Sequence, residues 1–243
     1  TPSSAASDVY KRQVLNMKSD EDIKNMKSIS QEAFEMVKNY KGSHSGEHGD
    51  GIVRSEFHEM MFGKKIINAF EEIKDIFDNK NLLNPGKIVR PYKSNDRSLM
   101  RYKSGYHANN INTHYDWSNW GQFSDAVEMC NNNGACRKLD SGVMCPSYRV
   151  TKEEKDLVRG RANTLRLALS NQLPEGSFAS KDMYETMELC VSCKACQREC
   201  PMSVDMAKMK SEFLSHYYKK FSMPIKDRVI SNMPRLILSL IHI

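Results

Sequence analysis

Cys190, Cys193, Cys196 and Cys200 follow one another with two, two and three residues between them, and Pro201 comes directly after the last. Thiolates are the soft ligands that iron and zinc take in proteins, so four of them in so short a run point to metal chemistry. The spacing separates the two metals. A structural zinc site usually takes two separated Cys-x2-Cys knuckles, whereas three cysteines overlapping at that interval suit three corners of an iron-sulfur cubane. Cys130, Cys136 and Cys145 precede this run, and Cys145 is again followed by a proline, Pro146. Seven cysteines confined to one stretch, with no visible signal peptide, argue against a secreted disulfide scaffold and for a reducing cytoplasm.

The run from Cys190 to Pro201 has the bacterial ferredoxin spacing. A degenerate copy lies upstream as Cys130-x5-Cys136-x8-Cys145-Pro146, with Asn133 at the register of a further cysteine. In two-cluster ferredoxins the cysteine before the proline ligates the other cluster. Cys145 would then complete the site of Cys190, Cys193 and Cys196, and Cys200 would join Cys130 and Cys136. That second site has only three thiolates, and it would hold a three-iron cluster, use a non-cysteine ligand, or have lost its metal. The alternative is one local [4Fe-4S] cluster with Cys200 as fourth ligand and the upstream cysteines as packing residues.

Helices must position these loops. Thr151-Lys152-Glu153-Glu154 has the spacing of a capping box ahead of Val158, Ala162, Leu165 and Leu169 on one helical face. Arg159, Arg161 and Arg166 share that helix, either solvated or balancing cluster charge. After Cys200, the residues Val204, Ala207, Leu214 and Tyr218 mark another helix. Near the start, Ile29, Ala33, Met36, Val37 and Tyr40 predict a helix over about 19–40 that enters a glycine-rich loop from Gly42 to Gly51. Ile66, Phe70, Ile73 and Phe77 predict a second, stopping at Asn84-Pro85-Gly86.

The loop reads Ser45-Gly46-Glu47-His48-Gly49-Asp50-Gly51, followed by Arg54 and later by Leu83-Asn84-Pro85-Gly86-Lys87. It resembles the C-terminal portion of FAD-linked oxidases of the vanillyl-alcohol-oxidase fold. Joined to Cys-Asn-Asn-Asn-Gly-Ala-Cys at 130–136 and Arg159-Gly160-Arg161-Ala162-Asn163, these motifs resemble the fused FAD and iron-sulfur D-2-hydroxyacid dehydrogenases, over about 19–235. The resemblance implies an α+β tail of an oxidase C-terminal domain over 14–92, a connector over 93–124 and an all-α, ferredoxin-like [4Fe-4S] domain over 125–222, mostly helical overall. It also implies FAD, bound mostly by an upstream domain, with Asn84 and Lys87 in a loop near the flavin. His48 matches the position that faces the substrate hydroxyl, and Glu47 one that ligates a divalent metal in some members. The implied substrate is a small 2-hydroxy acid such as D-lactate, glycolate or D-2-hydroxyglutarate, and the implied electron acceptor a quinone or carrier protein. A histidine suits the chemistry, since hydroxyl oxidation needs a base with a pKa near working pH.

Rival readings stay open on the sequence. An iron-sulfur subunit like those of heterodisulfide reductase or glycerol-phosphate dehydrogenase would share the cysteines but lack the Gly46 to Gly51 motif, and a non-redox module would use its cluster as a staple. His44-x2-Glu47-His48 matches an inverted zinc-protease pattern, but that motif needs a helix, which Gly42, Gly46, Gly49 and Gly51 disfavour. The net charge of +6, from 36 basic and 30 acidic residues interspersed along 243, shows no basic arm for nucleic acid. No apolar run reaches membrane-spanning length, so the expected place is cytoplasmic or peripheral to the inner membrane. Residues 1–13 and the end of the 223–243 segment resemble translated adapter sequence, and the chain is expected to be an internal fragment of a longer protein.

Overall fold

The computed structural model describes residues 15–46 and 48–241, and the chain divides into two units, Thr1–Tyr106 and His107–Ile243. Residues 1–13, read above as a non-native tail, and Glu47 lie outside the described residues.

In the first unit, the Ser19 hydroxyl accepts from the Asp22 amide at 3.3 Å and opens helix α1 (Asp20–Asn39), whose first turn carries three acidic residues at its positive end. The glycine-rich run leads into two short helices, α2 (Gly51–Ser55) and α3 (His58–Phe62), and Gly63 joins these to α4 (Lys64–Phe77). Asp78 stops α4 ahead of Asn84-Pro85-Gly86, because its carboxylate takes the amides of Leu82 and Leu83, both at 2.9 Å, together with the Lys74 ammonium. Gly86 has a φ of +74°, and a Cβ there would lie 2.1 Å from the Tyr92 ring, so the loop after α4 requires glycine twice over.

The α+β expectation for 14–92 is corrected here. Among the described residues the elements are helices and turns, without a strand. The stretch after α4 carries the reason: Asn81, Asn84, Gly86, Ile88 and Arg90 all have positive φ, and a backbone that repeatedly turns left-handed cannot hold an extended ladder. The broader expectation of a mostly helical chain holds.

The second unit contains α5 (Phe123–Glu128), α6 (Pro146–Thr151), α7 (Val158–Leu169), α8 (Lys181–Glu188), α9 (Ala195–Glu199), α10 (Met206–Lys220) and α11 (Ile225–Ile241). Its core is one cluster in which Leu157, Leu165, Met187 and Phe213 are fully buried. Thr151 does not cap α7, contrary to the capping-box reading. It closes α6, and its hydroxyl donates to Asp156 at 2.7 Å. A short turn at Glu154–Asp156 then crosses the start of α7 so closely that a Cβ on Gly160 would sit 2.0 Å from the Glu154 carbonyl oxygen. Among the described residues no helix is long and apolar enough to cross a membrane.

Glu212, fully buried on α10, ties 107–124 to this core. Its carboxylate accepts from the amides of His114 (2.8 Å) and Tyr115 (3.0 Å) and from the Trp117 indole (3.0 Å). Burial pushes the carboxyl pKa up, but these donors more than offset it and hold the group below the usual range. Glu212→Gln replaces one acceptor oxygen by a donor facing a donor. It should cost about 1–3 kcal/mol in chemical denaturation at neutral pH and speed hydrogen exchange at 111–120, while leaving α8 protected.

Candidate functional site

Four thiols from two separate stretches line one cavity of the second unit: Cys145, Cys190, Cys193 and Cys196, together with Pro146, Val158, Arg161 and Met206. Cys200, the local alternative for fourth ligand, is not among the lining residues. The positions follow from local structure. Cys145 precedes α6 in a left-handed conformation (φ +53°), Ser192 and Lys194 repeat that conformation on either side of Cys193, and Cys196 begins the second residue of α9. Of the four, Cys145 and Cys196 are buried, Cys190 half-buried and Cys193 exposed. Among the described residues no three cysteines bring their sulfurs within 4.8 Å of one another, whereas a tetrahedral zinc with sulfur at about 2.3 Å would need sulfur separations of about 3.8 Å. The donor set fits a cubane.

The surroundings combine oriented amides with charges of both signs, the buried Asp205 beside Cys196 among them. The Val158 amide, the first of α7, donates to Cys145 Sγ at 3.3 Å, and the amides of Met206 and Ala207, the first of α10, bond to Cys196. Two helix N-termini therefore face the cavity, where the dipole favours an anion. Arg161 is buried beside the thiols. It donates to the Thr186 carbonyl at 2.9 Å and the Ser147 hydroxyl at 3.2 Å, and lies 3.5 Å from the Asp156 carboxylate. Lys210 donates to the Cys190 carbonyl at 2.6 Å and the Glu188 carbonyl at 2.9 Å. Burial pushes the Cys145 thiol up to about 12 and raises Cys136 and Cys196 as well, so the metal-free thiols are protonated and cluster assembly must expel those protons.

Cys130 and Cys136 are buried in the stretch between α5 and α6. Arg159 acts electrostatically on both, and Asn163, one turn on, donates to Asn132 at 2.7 Å. The Arg-Gly-Arg-Ala-Asn run thus serves two cysteine loops, with Arg159 and Asn163 toward 130–136 and Arg161 toward Cys145. Asn133, at the register of the missing cysteine, accepts the Ala135 amide at 2.8 Å. Cys145 is within electrostatic reach of both Cys136 and Cys196. Sequence reasoning missed Lys210 and Asp156; nothing in their local pattern sets them apart from surface charges.

In the first unit His48 is exposed, while its backbone is pinned: its amide donates to the Ser45 carbonyl at 3.0 Å and its carbonyl accepts from Arg54 at 2.9 Å. Asn84 and Lys87 are both exposed, with Nζ 3.5 Å from Oδ1. The pair does not itself form a pocket for a flavin. Behind the loop, His44, Asp50 and His58 come together, a grouping the sequence did not suggest because it pairs His44 with neither partner of the protease pattern.

Comparison with known proteins divides at the same place. Residues 12–88 match the model of the C-terminal domain of FAD linked oxidases, and residues 126–204 that of the 4Fe-4S dicluster domain. The chain is 30% identical to the D-2-hydroxyglutarate dehydrogenase of Haemophilus influenzae, over 93% of this chain and 25% of that protein. It is 30% identical to the one of Pseudomonas putida, over 96% and 26%. A shorter match, 48% identical over 19% of this chain and 10% of the relative, is to D-lactate dehydrogenase of Archaeoglobus fulgidus. The chain spans about a quarter of the length of the first two relatives. No solved structure matches.

The lining of the cavity makes the two proline-linked cysteines unequal. In anaerobically reconstituted protein, Cys145→Ser should abolish or shift the main electron paramagnetic resonance signal of the reduced cluster, and Cys200→Ser should leave it. The reverse outcome would favour the local arrangement.

Proposed function

From a chain that joins the C-terminal domain of FAD linked oxidases to a 4Fe-4S dicluster domain, we propose the following reading: it is part of a flavin and iron-sulfur oxidoreductase that oxidises a D-2-hydroxy acid. The observation that carries the electron-transfer part is the set of four thiols from two stretches of chain on one cavity, faced by two helix N-termini and a buried guanidinium. The substrate class rests on the relatives, which are dehydrogenases of D-2-hydroxyglutarate and D-lactate.

When bound, FAD supplies a hydride acceptor and the [4Fe-4S] cluster a one-electron carrier. The chain's own residues have narrower tasks. Cys145, Cys190, Cys193 and Cys196 hold the cluster, and Arg161, Lys210 and the amides of Val158, Met206 and Ala207 balance its charge. Cys130, Cys136 and Cys200 are left for a second cluster. His48 takes the proton of the substrate hydroxyl at a ring nitrogen, and its exposure on a backbone-pinned loop supports that role. Glu47, its neighbour in sequence, offers a carboxylate to a divalent metal. Asn84 and Lys87 approach the flavin from the loop after α4. Electrons leave to a quinone or carrier protein.

The test belongs in the full-length parent. Loss of a positioned base costs about 10²- to 10⁴-fold in rate. His48→Asn should therefore slow flavin bleaching by D-2-hydroxyglutarate or D-lactate in stopped flow by that order, with flavin content and cluster absorbance intact. Bleaching at the wild-type rate would return His48 to a structural role.

A further inference from the structure

The most unusual chemistry outside the cysteine cavity is the buried meeting of His44, Asp50 and His58. The side chains of His44 and His58 are 0% and 3% exposed. Both ring nitrogens of His44, Nε2 of His58 and Oδ1 of Asp50 are buried and without a hydrogen-bond partner. Buried polar groups of native proteins are otherwise nearly always satisfied, so this concentration calls for a ligand.

The orientation of His58 sharpens the point. Its Nδ1 lies 3.3 Å from the Ile88 carbonyl oxygen, which can only accept, so Nδ1 carries the proton of that bond. That leaves Nε2 as the nitrogen open to a ligand; it lies 3.1 Å from Asp50 Oδ2 without hydrogen-bonding geometry between them. On the other side, His44 Nε2 is 3.5 Å from Asp50 Oδ1. A tetrahedral ion with nitrogen and oxygen ligands at about 2.0–2.1 Å separates its donors by about 3.3–3.4 Å, and each imidazole stands near that distance from a different oxygen of the carboxylate. All three donor atoms lie within 4.8 Å of one another.

The shell matches as well. Phe34 and Phe62 pack their rings 5.3 and 5.8 Å from His44, and Phe62 lies 5.6 Å from His58, so water is largely kept out. The Ile88 carbonyl fixes the tautomer of one imidazole in the way outer partners orient metal-bound histidines. Asp50, 21% exposed in its side chain, leaves an entry path.

We propose that His44, Asp50 and His58 form a site for one divalent transition-metal ion with the ligand preferences of zinc, held through Nε2 of each imidazole and a carboxylate oxygen. This site uses none of the cysteines and is distinct from the Glu47 carboxylate of the proposed function.

The test uses the full chain with its clusters reconstituted anaerobically, so that the thiols are occupied. Titration with zinc chloride in a calorimeter, with metal analysis after desalting, should give one zinc per chain. Zinc-edge X-ray absorption should show nitrogen and oxygen neighbours at about 2.0–2.1 Å with imidazole scattering, and no sulfur at about 2.3 Å. His58→Gln, His44→Phe and the isosteric Asp50→Asn should each lower affinity at least about 100-fold, more than loss of an outer partner does. Far-ultraviolet circular dichroism and cluster absorbance verify that each variant is folded, and Asp50→Asn carries the test if a histidine variant is not. Glu47→Gln should leave the affinity unchanged. No zinc uptake by the wild type, sulfur in the zinc shell, uptake untouched by the folded variants, or uptake lost with Glu47→Gln would each overturn the site.

Discussion

A guanidinium with no route to solvent organises the second unit. Arg161 is 2% exposed, and a buried charge is tolerable only if paired and fully hydrogen-bonded. Arg161 is paired with Asp156 from the turn before α7 and hydrogen-bonded to Ser147 from α6 and the Thr186 carbonyl from α8, so a single side chain fixes three elements around the cavity that the thiols line. The same charge suits an anionic cluster. Packing and electrostatics therefore impose one requirement, and Gly160 next to it must stay without a side chain because the Glu154–Asp156 turn has to pass close enough to deliver Asp156.

The two units show opposite ways of making a functional loop. Around the cysteines, two helix N-termini, the buried Arg161 and the half-buried Lys210 converge on loops that carry left-handed residues. Around the glycine-rich run, Arg54 clamps the carbonyls of Ser45 and His48 from one side while the His44, Asp50 and His58 group anchors the other. His48 is left outward and exposed on a backbone held at both ends.

What the sequence made legible was what local spacing dictates. The intervals between Cys190, Cys193 and Cys196 reflect a loop wrapping a small inorganic object, and the helices over 20–39 and 64–77 follow from apolar period. The lining role of Cys145 was only one of two open alternatives, because it depends on two loops meeting in space. Glu212 and Trp117 stand 95 positions apart, and nothing near either announces their bond. Thr151 misled because its hydroxyl serves a turn rather than a helix start, and the α+β reading failed because five left-handed residues after α4 are invisible to hydropathy. His58 escaped notice for a simpler reason: a histidine in a short helix carries no periodic signal of its own.

Helix α4 has no buried residue, although Ile66, Ile73, Ile76 and Phe77 give it an apolar side with exposures from 43% to 83%. A helix of fourteen residues is marginal in water by itself. Contacts within the chain hold it, Phe62 on Phe70 and Arg90 on Asp75 among them, and any surface that covers its apolar side adds stability in proportion to the logarithm of that surface's concentration. The melting of this part of the chain is in that sense a property of a solution, varying with what else is dissolved in it, while the melting of the Arg161 core is a property of the molecule.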